Sequence, residues 1–321
     1  MAIIVGDIHG NVEKVKAFLS YKPEEVHVAL GDYLDSFHEP QVRQIESLQL
    51  LLDSDSILLW GNHDFNYHRV PPFFSTGYQF GLEEPYQQLI ENHIDRFKAA
   101  YSVDDWLCTH AGLAKWLAND ITNVNVLADM LNDQLAEWMA SPCETLDGIF
   151  AIGKSRGGSG RYNSGGIFWF DFKREGDRLA NVKQIFGHTE TKEPVVTENY
   201  VALDTTNCKN NCWLYDTAAN KLVQLPLEPK EMGGVPMTFR ELPVNEILPF
   251  ARFIFVNGHT LQGSRLQQSL LDCGFDDRDY QHWKLGEDYD ESVWVKIISD
   301  DDIIRDDLEL RDLCLKVPYR S

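Results

Sequence analysis

The stretch AIIVGDIHG, residues 2–10, decides how this chain begins to fold. Its first four residues form a short apolar run, which predicts a strand that is buried on both faces. Gly6 then permits a sharp turn, and Asp7 and His9 follow that turn at the carboxyl end of the strand. Ligands of α/β proteins bind at this end of parallel strands. The stretch therefore predicts an α/β domain with a polar site beside its first strand.

Four further apolar runs also end in polar residues. They cover residues 26–30, 57–60, 106–108 and 182–186, and they lead into GDYLD, GNHD, THAG and GHTE. Because the carboxyl ends of parallel strands meet at one edge of a sheet, we expect all five polar sets to converge on one crevice. Their Asp, His and Asn side chains supply the oxygen and imidazole ligands that suit Mn, Fe, Zn or Ni. The pattern predicts a metal site without thiolate ligands.

Amphipathic segments separate these runs. Asn11 can cap the first of four predicted helices, which cover residues 12–19, 42–52, 86–100 and 125–140. Further along the chain, the runs IFWFDF, YVALD, CWLYD and KLVQL predict β segments and a second sheet. The fold class that follows is a layered α/β domain.

The composition excludes several classes of function. The chain has 321 residues with 29 Lys and Arg against 50 Asp and Glu, so its net charge is −21. Such a molecule repels phosphate backbones and anionic lipids, which argues against bulk nucleic-acid binding and against binding to a membrane surface. The N-terminal apolar run is too short for a signal peptide, and we expect a cytoplasmic location. The sequence leaves the oligomeric state open.

The five motifs occur in an order that resembles the calcineurin-like metallophosphoesterases, and within them the phosphoprotein phosphatase (serine/threonine phosphatase) branch. The resemblance covers about residues 1–225. It implies a four-layer α/β-β-α sandwich with a two-metal site at the edge of the central sheets. The HAG at residues 110–112 looks more like bacterial members, including diadenosine tetraphosphatases.

The resemblance also implies a role for each motif residue. One divalent metal ion would be held by Asp7 and His9, a second by Asn62, His110 and His188, and Asp32 would bridge the two. Manganese is the expected metal, with iron, zinc and nickel as alternatives. Two metals about 3.5–4 Å apart can make a shared hydroxide nucleophilic and neutralise the phosphoryl oxygens. His63 would protonate the leaving oxygen, and Asp35 would orient His63.

The sequence departs from the family where the substrate phosphate is held. Protein-phosphatase members carry Arg-Gly after the second motif, whereas this chain has Ser36 and Phe37. The Gly-rich stretch KSRGGSGRYNSGG offers Arg156 and Arg161 as replacements, since a guanidinium is the best bidentate clamp for phosphate. A flexible structural turn is the other interpretation of that stretch, and the residues alone leave both open.

The expected function is hydrolysis of phosphomonoesters on a phosphorylated protein or a small phosphorylated molecule. The alternative enzyme is a dinucleotide polyphosphate hydrolase of the diadenosine tetraphosphate type. A catalytically weak metal-binding module is a third hypothesis, although a pure scaffold would not need the acid His63.

A turn-rich segment, EPKEMGGVP, separates this region from the rest of the chain. We predict a metallophosphoesterase catalytic domain over residues 1–230 and an accessory domain over residues 231–321. The apolar runs RFIFV and VWVKII, with the helix-like SRLQQSLLDCG between them, predict that the second domain is a small α/β unit.

Overall fold

The computed structural model describes residues 1–36, 39, 41–75, 78, 83–205 and 211–227, and the backbone of residues 251–256 and 292–297. The chain divides into two compact units, Met1–Lys230 and Glu231–Ser321. No helix in the described part of the chain is long and apolar enough to cross a membrane.

Strands and helices alternate through the first half of the chain. The strands are β1 (Ala2–Val5), β2 (Val26–Ala29), β3 (Ile57–Leu59), β4 (Phe97–Lys98), β5 (Ala100–Val103), β6 (Trp106–Thr109), β7 (Lys183–Phe186), β8 (Val195–Val196), β9 (Tyr200–Ala202), β10 (Asn211–Asp216), β11 (Lys221–Pro226), β12 (Ala251–Val256) and β13 (Ser292–Ile297). The α-helices are α1 (Val12–Ser20), α2 (Gln41–Leu52), α3 (Glu83–Glu91), α4 (Lys115–Ala118), α5 (Val124–Ala140) and α6 (Phe172–Glu175). Short 3₁₀ helices cover Asp64–Tyr67, Ile94–Arg96, Gly148–Phe150, Lys154–Arg156 and Gly176–Arg178.

Two sheets form the centre of the first unit. The first has the strand order β11-β10-β1-β2-β3-β4, and the second has the order β5-β6-β7-β9-β8. Strands β1 to β4 are parallel, as are β6, β7 and β9, so each sheet has one edge at which several carboxyl ends meet. Asn11 caps α1 as predicted, because its side chain accepts the Lys14 N–H at 2.9 Å.

Alternate side chains of β1 face opposite sides of the first sheet and belong to different hydrophobic clusters. Ile4 lies in a cluster that joins the two sheets, together with Trp106 and Ile185 of the second sheet. Its neighbour Ile3 lies on the other face, in a cluster that includes Phe18 of α1. Helix α5 packs on β5 and β6 at the outer face of the second sheet. The fold is therefore the predicted four-layer α/β-β-α sandwich.

Two local predictions are wrong. The helix expected over residues 86–100 ends at Glu91, because Phe97 pairs with Leu58 and extends the first sheet. Tertiary pairing here overrides helical periodicity. The run IFWFDF forms no strand: it crosses the core as buried irregular chain and then enters α6, whose N-terminal N–H groups bond to Asp171.

The second sheet also has a different membership from the one expected. YVALD supplies β9 of that sheet, but CWLYD and KLVQL form β10 and β11, which join the first sheet beside β1. In the unit Glu231–Ser321, β12 and β13 pair antiparallel, with Ala251 opposite Ile297. The predicted linker over residues 228–236 and the helix predicted for SRLQQSLLDCG lie outside the described residues.

Candidate active site

Five loops at the carboxyl ends of strands carry the predicted metal ligands and the His63–Asp35 pair. They follow β1, β2 and β3 in the first sheet and β6 and β7 in the second. One cavity of about 500 Å³ is lined by Asp7, His9, Asp32, Asp35, Asn62, His63 and His188. His110 is fully buried and contacts both Asn62 and His188. The structure thus brings all the predicted motif residues together.

The backbone is strained at four of these positions. The φ angle is 44° at His9, 54° at Asp32, 60° at Asp35 and 65° at His188. Positive φ is uncommon for residues other than glycine, and each instance costs about 1–3 kcal/mol. Hydrogen bonds from the Ile8 and His9 N–H groups to Asp32 O, at 3.0 and 2.8 Å, hold two of the loops in this form. Strain that the surrounding structure maintains is typical of functional sites.

Two motif glycines leave space for carboxylates. A Cβ atom at Gly61 would lie 2.1 Å from Asp32 Oδ1, and one at Gly187 would lie 2.0 Å from Asp7 Oδ1. Both distances are far below van der Waals contact. Glycine is therefore required at these positions because each carboxylate occupies the volume of the missing side chain.

The first group of ligand atoms surrounds Asn62. Its Oδ1 lies 2.9 Å from His110 Nε2 and 2.8 Å from His188 Nδ1, and Asp32 Oδ2 lies 3.4 Å from the same His110 nitrogen. His110 Nδ1 donates to the carbonyl of Leu30 at 2.9 Å, which leaves Nε2 for a ligand. A group of three side chains suited to a metal ion consists of Asp32, His110 and His188.

Ser75 determines which end of the Asn62 amide faces this group. The Ser75 hydroxyl donates to the backbone carbonyl of Asn62 at 2.8 Å. The Ser75 hydroxyl oxygen can therefore accept a hydrogen bond from the side-chain Nδ2 of Asn62 at 3.0 Å. The amide oxygen of Asn62 is left for the two imidazoles. Ser75 lies outside every motif, and no sequence signal marks it.

The second group of ligand atoms also contains Asp32. The side-chain atoms of His9, Asp32 and His63 lie within 4.8 Å of one another. His9 Nδ1 donates to the carbonyl of Leu34 at 2.7 Å, so its Nε2, 3.8 Å from Asp32 Oδ2, can act as a ligand. Asp32 therefore belongs to both groups, which is the position that a bridging carboxylate requires.

Asp7 reaches the site from a different direction. Its two carboxylate oxygens accept the His188 N–H at 3.0 and 3.2 Å, so it ties the loop after β1 to the loop after β7. Burial, followed by the charges of Asp204 and Asp32, holds the pKa of Asp7 well above its usual value. Asp204 ends the apolar run YVALD, so the strand-end signal that identified the five motifs was present there too.

Opposite charges concentrate around Asp32. Burial opposes ionisation of Asp32, but the imidazoles of His110 and His63 outweigh it and hold the pKa of Asp32 well below its usual value. Burial also disfavours the His110 imidazolium, yet Asp32 raises the pKa of His110 to about 9. The carboxylates of the cavity therefore favour positive charge between them.

His188 differs from His110 and His63 in its charge and in one of its ring nitrogens. Its Nε2 is buried without a hydrogen-bond partner among the described residues. Burial, and then the charges of His110 and Arg156, hold the pKa of His188 well below its usual value, so the imidazole is neutral. A neutral imidazole beside oxygen donors and carboxylates fits divalent metal ions. These residues can hold such ions.

His63 and Asp35 form a pair at the cavity wall. His63 Nδ1 lies 3.2 Å from Asp35 Oδ2, and the His63 backbone N–H donates to Asp32 Oδ1 at 2.9 Å. Burial disfavours the imidazolium, but the carboxylates of Asp32 and Asp35 outweigh it and raise the pKa of His63 to about 9. At neutral pH this imidazole carries a proton that it can donate.

Asp64 holds two of the loops together. Its carboxylate accepts the N–H groups of Asp32, Tyr33 and Gly61, each at 2.9 Å. The side chain is fully buried, so these three bonds replace its hydration. The last residue of the GNHD motif thus fixes the relative position of the second and third motifs.

The two candidate arginines lie in different places. Arg156 lines the cavity; its Nη2 donates to Thr189 Oγ1 at 2.8 Å, and its Nε lies 3.4 Å from Asp171 Oδ2. Arg161 does not line the cavity. Its guanidinium pairs with the exposed Asp147 at 2.6 Å.

Two more basic side chains line the cavity beside Arg156. They are Lys173 and Arg174, both on the short helix α6. Ser36, which stands where protein-phosphatase members carry arginine, also lines the cavity. Sequence reasoning missed Lys173 and Arg174 because they lie outside the five motifs, directly after the run IFWFDF that was expected to be a strand.

No curated protein is significantly similar in sequence to this chain. Among solved structures, the cold-active protein-tyrosine phosphatase of a psychrophilic Shewanella species is 17% identical with a TM-score of 0.45, over 71% of this chain and 80% of that chain. A hypothetical protein from Pyrococcus horikoshii OT3 is 10% identical with a TM-score of 0.36, over 72% and 90% of the two chains.

The family model for calcineurin-like phosphoesterases matches residues 2–190, which is more than half of the chain and includes all five motifs. Members of this family hydrolyse phosphoesters with the help of divalent metal ions, and the donor set of the cavity fits such ions. The chain therefore belongs to the calcineurin-like phosphoesterase family and is a metal-dependent hydrolase.

Proposed function

We propose that this protein is a phosphomonoesterase of the serine/threonine phosphatase type, with a phosphorylated protein or a small phosphorylated molecule as its substrate. The observation that carries the proposal is the His63–Asp35 pair, which lines the same cavity as two ligand groups that share Asp32. A monoester with an alkyl leaving group needs a proton for the departing oxygen, and this pair can supply it.

The ligand assignment is part of the proposal. Asp7 and His9 would hold one ion, Asn62, His110 and His188 the other, and Asp32 both. Manganese is the proposed metal, because carboxylate, amide and imidazole donors suit it and no thiolate joins the described groups. When bound, the ions supply Lewis acidity, which activates water and neutralises charge on the phosphoryl group.

The protein's own residues would orient the substrate and provide the proton. Arg156 is held by Thr189 and Asp171, so its guanidinium is pre-organised at the cavity wall to contact phosphoryl oxygens. His63 would donate its proton to the leaving oxygen from Nε2, since Asp35 occupies Nδ1. Arg161 has no part in this assignment because Asp147 holds it elsewhere.

A dinucleotide polyphosphate hydrolase is the second candidate, and one observation favours it. Lys173 and Arg174 add two cations to the wall that contains Arg156, in a chain whose net charge is −21. A single phosphoryl group does not need three basic side chains, whereas a polyphosphate chain would engage all of them.

A substrate panel with the manganese-loaded protein tests the proposal. We expect turnover of p-nitrophenyl phosphate and of a phosphoserine peptide, loss of both after chelation, and recovery with Mn²⁺. Diadenosine tetraphosphate is the competing substrate. Rapid release of nucleotide from it, with no turnover of either monoester, would replace the first candidate by the second. Failure on all three substrates would support the metal-binding module instead.

A further inference from the structure

The carboxylate of Asp35 accepts hydrogen bonds from two side chains that no motif includes. The hydroxyl of Tyr67 donates to Oδ1, and Asn66 Nδ2 donates to Oδ2 at 2.6 Å. His63 Nδ1 shares Oδ2 at 3.2 Å. Asp35 is buried, so these bonds replace its hydration and fix the plane of the carboxylate.

All three partners come from one short segment. His63 immediately precedes the 3₁₀ helix Asp64–Tyr67, which contains Asn66 and Tyr67. Side chains three and four positions apart lie on the same side of a helical turn. The segment therefore presents His63, Asn66 and Tyr67 together to a single carboxylate on the neighbouring loop.

Asn66 and Tyr67 are themselves held in place. The Tyr67 ring is fully buried and contacts the rings of Tyr86 and Tyr78, at centroid distances of 4.7 and 5.6 Å. Asn66 Oδ1 accepts the Ser75 N–H at 2.7 Å, which directs its amide N–H₂ group toward Asp35. Because both side chains are held by other contacts, rotation of the Asp35 carboxylate would break its hydrogen bonds to them.

We propose that Tyr67 and Asn66 are positioning residues for the leaving-group acid, because they fix Asp35 and, through it, the orientation of the His63 ring. The proposal rests on the proposed function, in which His63 protonates the leaving oxygen. If the hydrogen bonds of Tyr67 and Asn66 to Asp35 act through His63, their loss affects only the step in which His63 protonates the leaving oxygen. A purely structural contact would affect every substrate alike.

The test compares two monoesters that differ in leaving group. p-Nitrophenolate is a stable leaving group, whereas the serine alkoxide needs protonation, and general-acid catalysis contributes about 10²–10⁴-fold where it is needed. Tyr67→Phe removes one hydroxyl and keeps the ring. We expect it to lower kcat on a phosphoserine peptide by about tenfold, the effect of one hydrogen bond to a charged group, with kcat on p-nitrophenyl phosphate nearly unchanged.

Tyr215→Phe is the matched control, since this tyrosine is also buried, its hydroxyl donates to Asn220 Oδ1 at 2.6 Å, and it lies outside the cavity lining. It should leave the ratio of the two rates at the wild-type value. Asn66→Ala tests the other carboxylate oxygen and should change the ratio in the same direction as Tyr67→Phe. Equal losses on both substrates in Tyr67→Phe and Asn66→Ala would overturn the proposal.

A double variant separates this inference from the proposed function. In a His63→Ala background, Tyr67→Phe should cause no further loss on the phosphoserine peptide, because its effect passes through His63. A further tenfold loss in that background would refute the positioning role. If His63→Ala alone reduces both substrates equally, the acid role in the proposed function is wrong. A selective loss in His63→Ala without one in Tyr67→Phe would refute only the positioning role.

Discussion

Replacing Gly187 with alanine should weaken metal binding without altering any ligand side chain. The new Cβ atom would lie 2.0 Å from Asp7 Oδ1, and an ordinary contact begins at 3.4 Å, so the carboxylate would have to retreat by about 1.4 Å. Gly187 does not have a positive φ, so alanine adds no backbone strain there. The substitution acts on Asp7 through volume alone.

The displacement is large compared with what a metal site tolerates. Ligand distances hold to within about 0.2 Å, and misplacement of a ligand or its support typically costs about 10–100-fold in affinity. Asp7 cannot retreat without also losing the His188 N–H, which it now accepts at 3.0 and 3.2 Å. We expect Gly187→Ala to bind Mn²⁺ about 10–100-fold more weakly than the wild type.

Calorimetric titration with Mn²⁺, together with metal content after dialysis, measures this change. Gly176→Ala is the control, because its Cβ would meet nothing within 4 Å and its φ of −59° suits alanine. Thermal unfolding establishes that both variants are folded. Wild-type affinity and metal content in a folded Gly187→Ala protein would show that Asp7 is not a metal ligand, or that its position does not matter.

Three further predictions concern the site and its surroundings. Asp32→Asn should reduce the bound metal to less than one ion per chain by elemental analysis, because a neutral amide cannot bridge two cations; full metal content would exclude the bridging role. Ser75→Ala should lower Mn²⁺ affinity about tenfold by calorimetry, since the Asn62 amide loses the partner that directs its oxygen; unchanged affinity would exclude this orienting role. Removal of the acidic segment 231–321 should raise kcat/KM on highly anionic substrates more than on p-nitrophenyl phosphate, because the negative charge of the segment repels them; equal kcat/KM values for the full and shortened proteins would show that this charge has no effect on the reaction.

Much of the site could be predicted from local signals. An apolar run that ends in polar residues marks the carboxyl end of a buried strand, and this holds for all five motifs. In GDIHG, GDYLD, GNHD and GHTE a glycine directly precedes the polar residue, whereas in THAG the glycine follows it. The signal depends on residues that are neighbours in the chain, so no knowledge of the fold was needed. The order of the motifs then indicated the family and the layered α/β architecture.

Other features depended on contacts between distant parts of the chain. Residues 97–98 form an edge strand rather than a helix because they pair with β3. The apolar run IFWFDF is buried in the core, but it forms no strand. The sequence left Arg156 and Arg161 equivalent, and the tertiary structure separates them by placing one on the cavity wall and the other against Asp147.

The hydrogen bonds that hold Asp35 and Asn62 also depend on contacts between distant parts of the chain. Tyr67 and Asn66 meet Asp35 across 32 and 31 residues of chain, and Ser75 meets Asn62 across 13. Nothing in the periodicity or spacing of these residues marks them. The sequence by itself determined which residues stand at the ends of the strands, because that follows from local hydrophobicity and glycine. Only the tertiary structure decided which buried side chains hold them in place, because hydrogen bonds between distant segments exist only after the chain has packed.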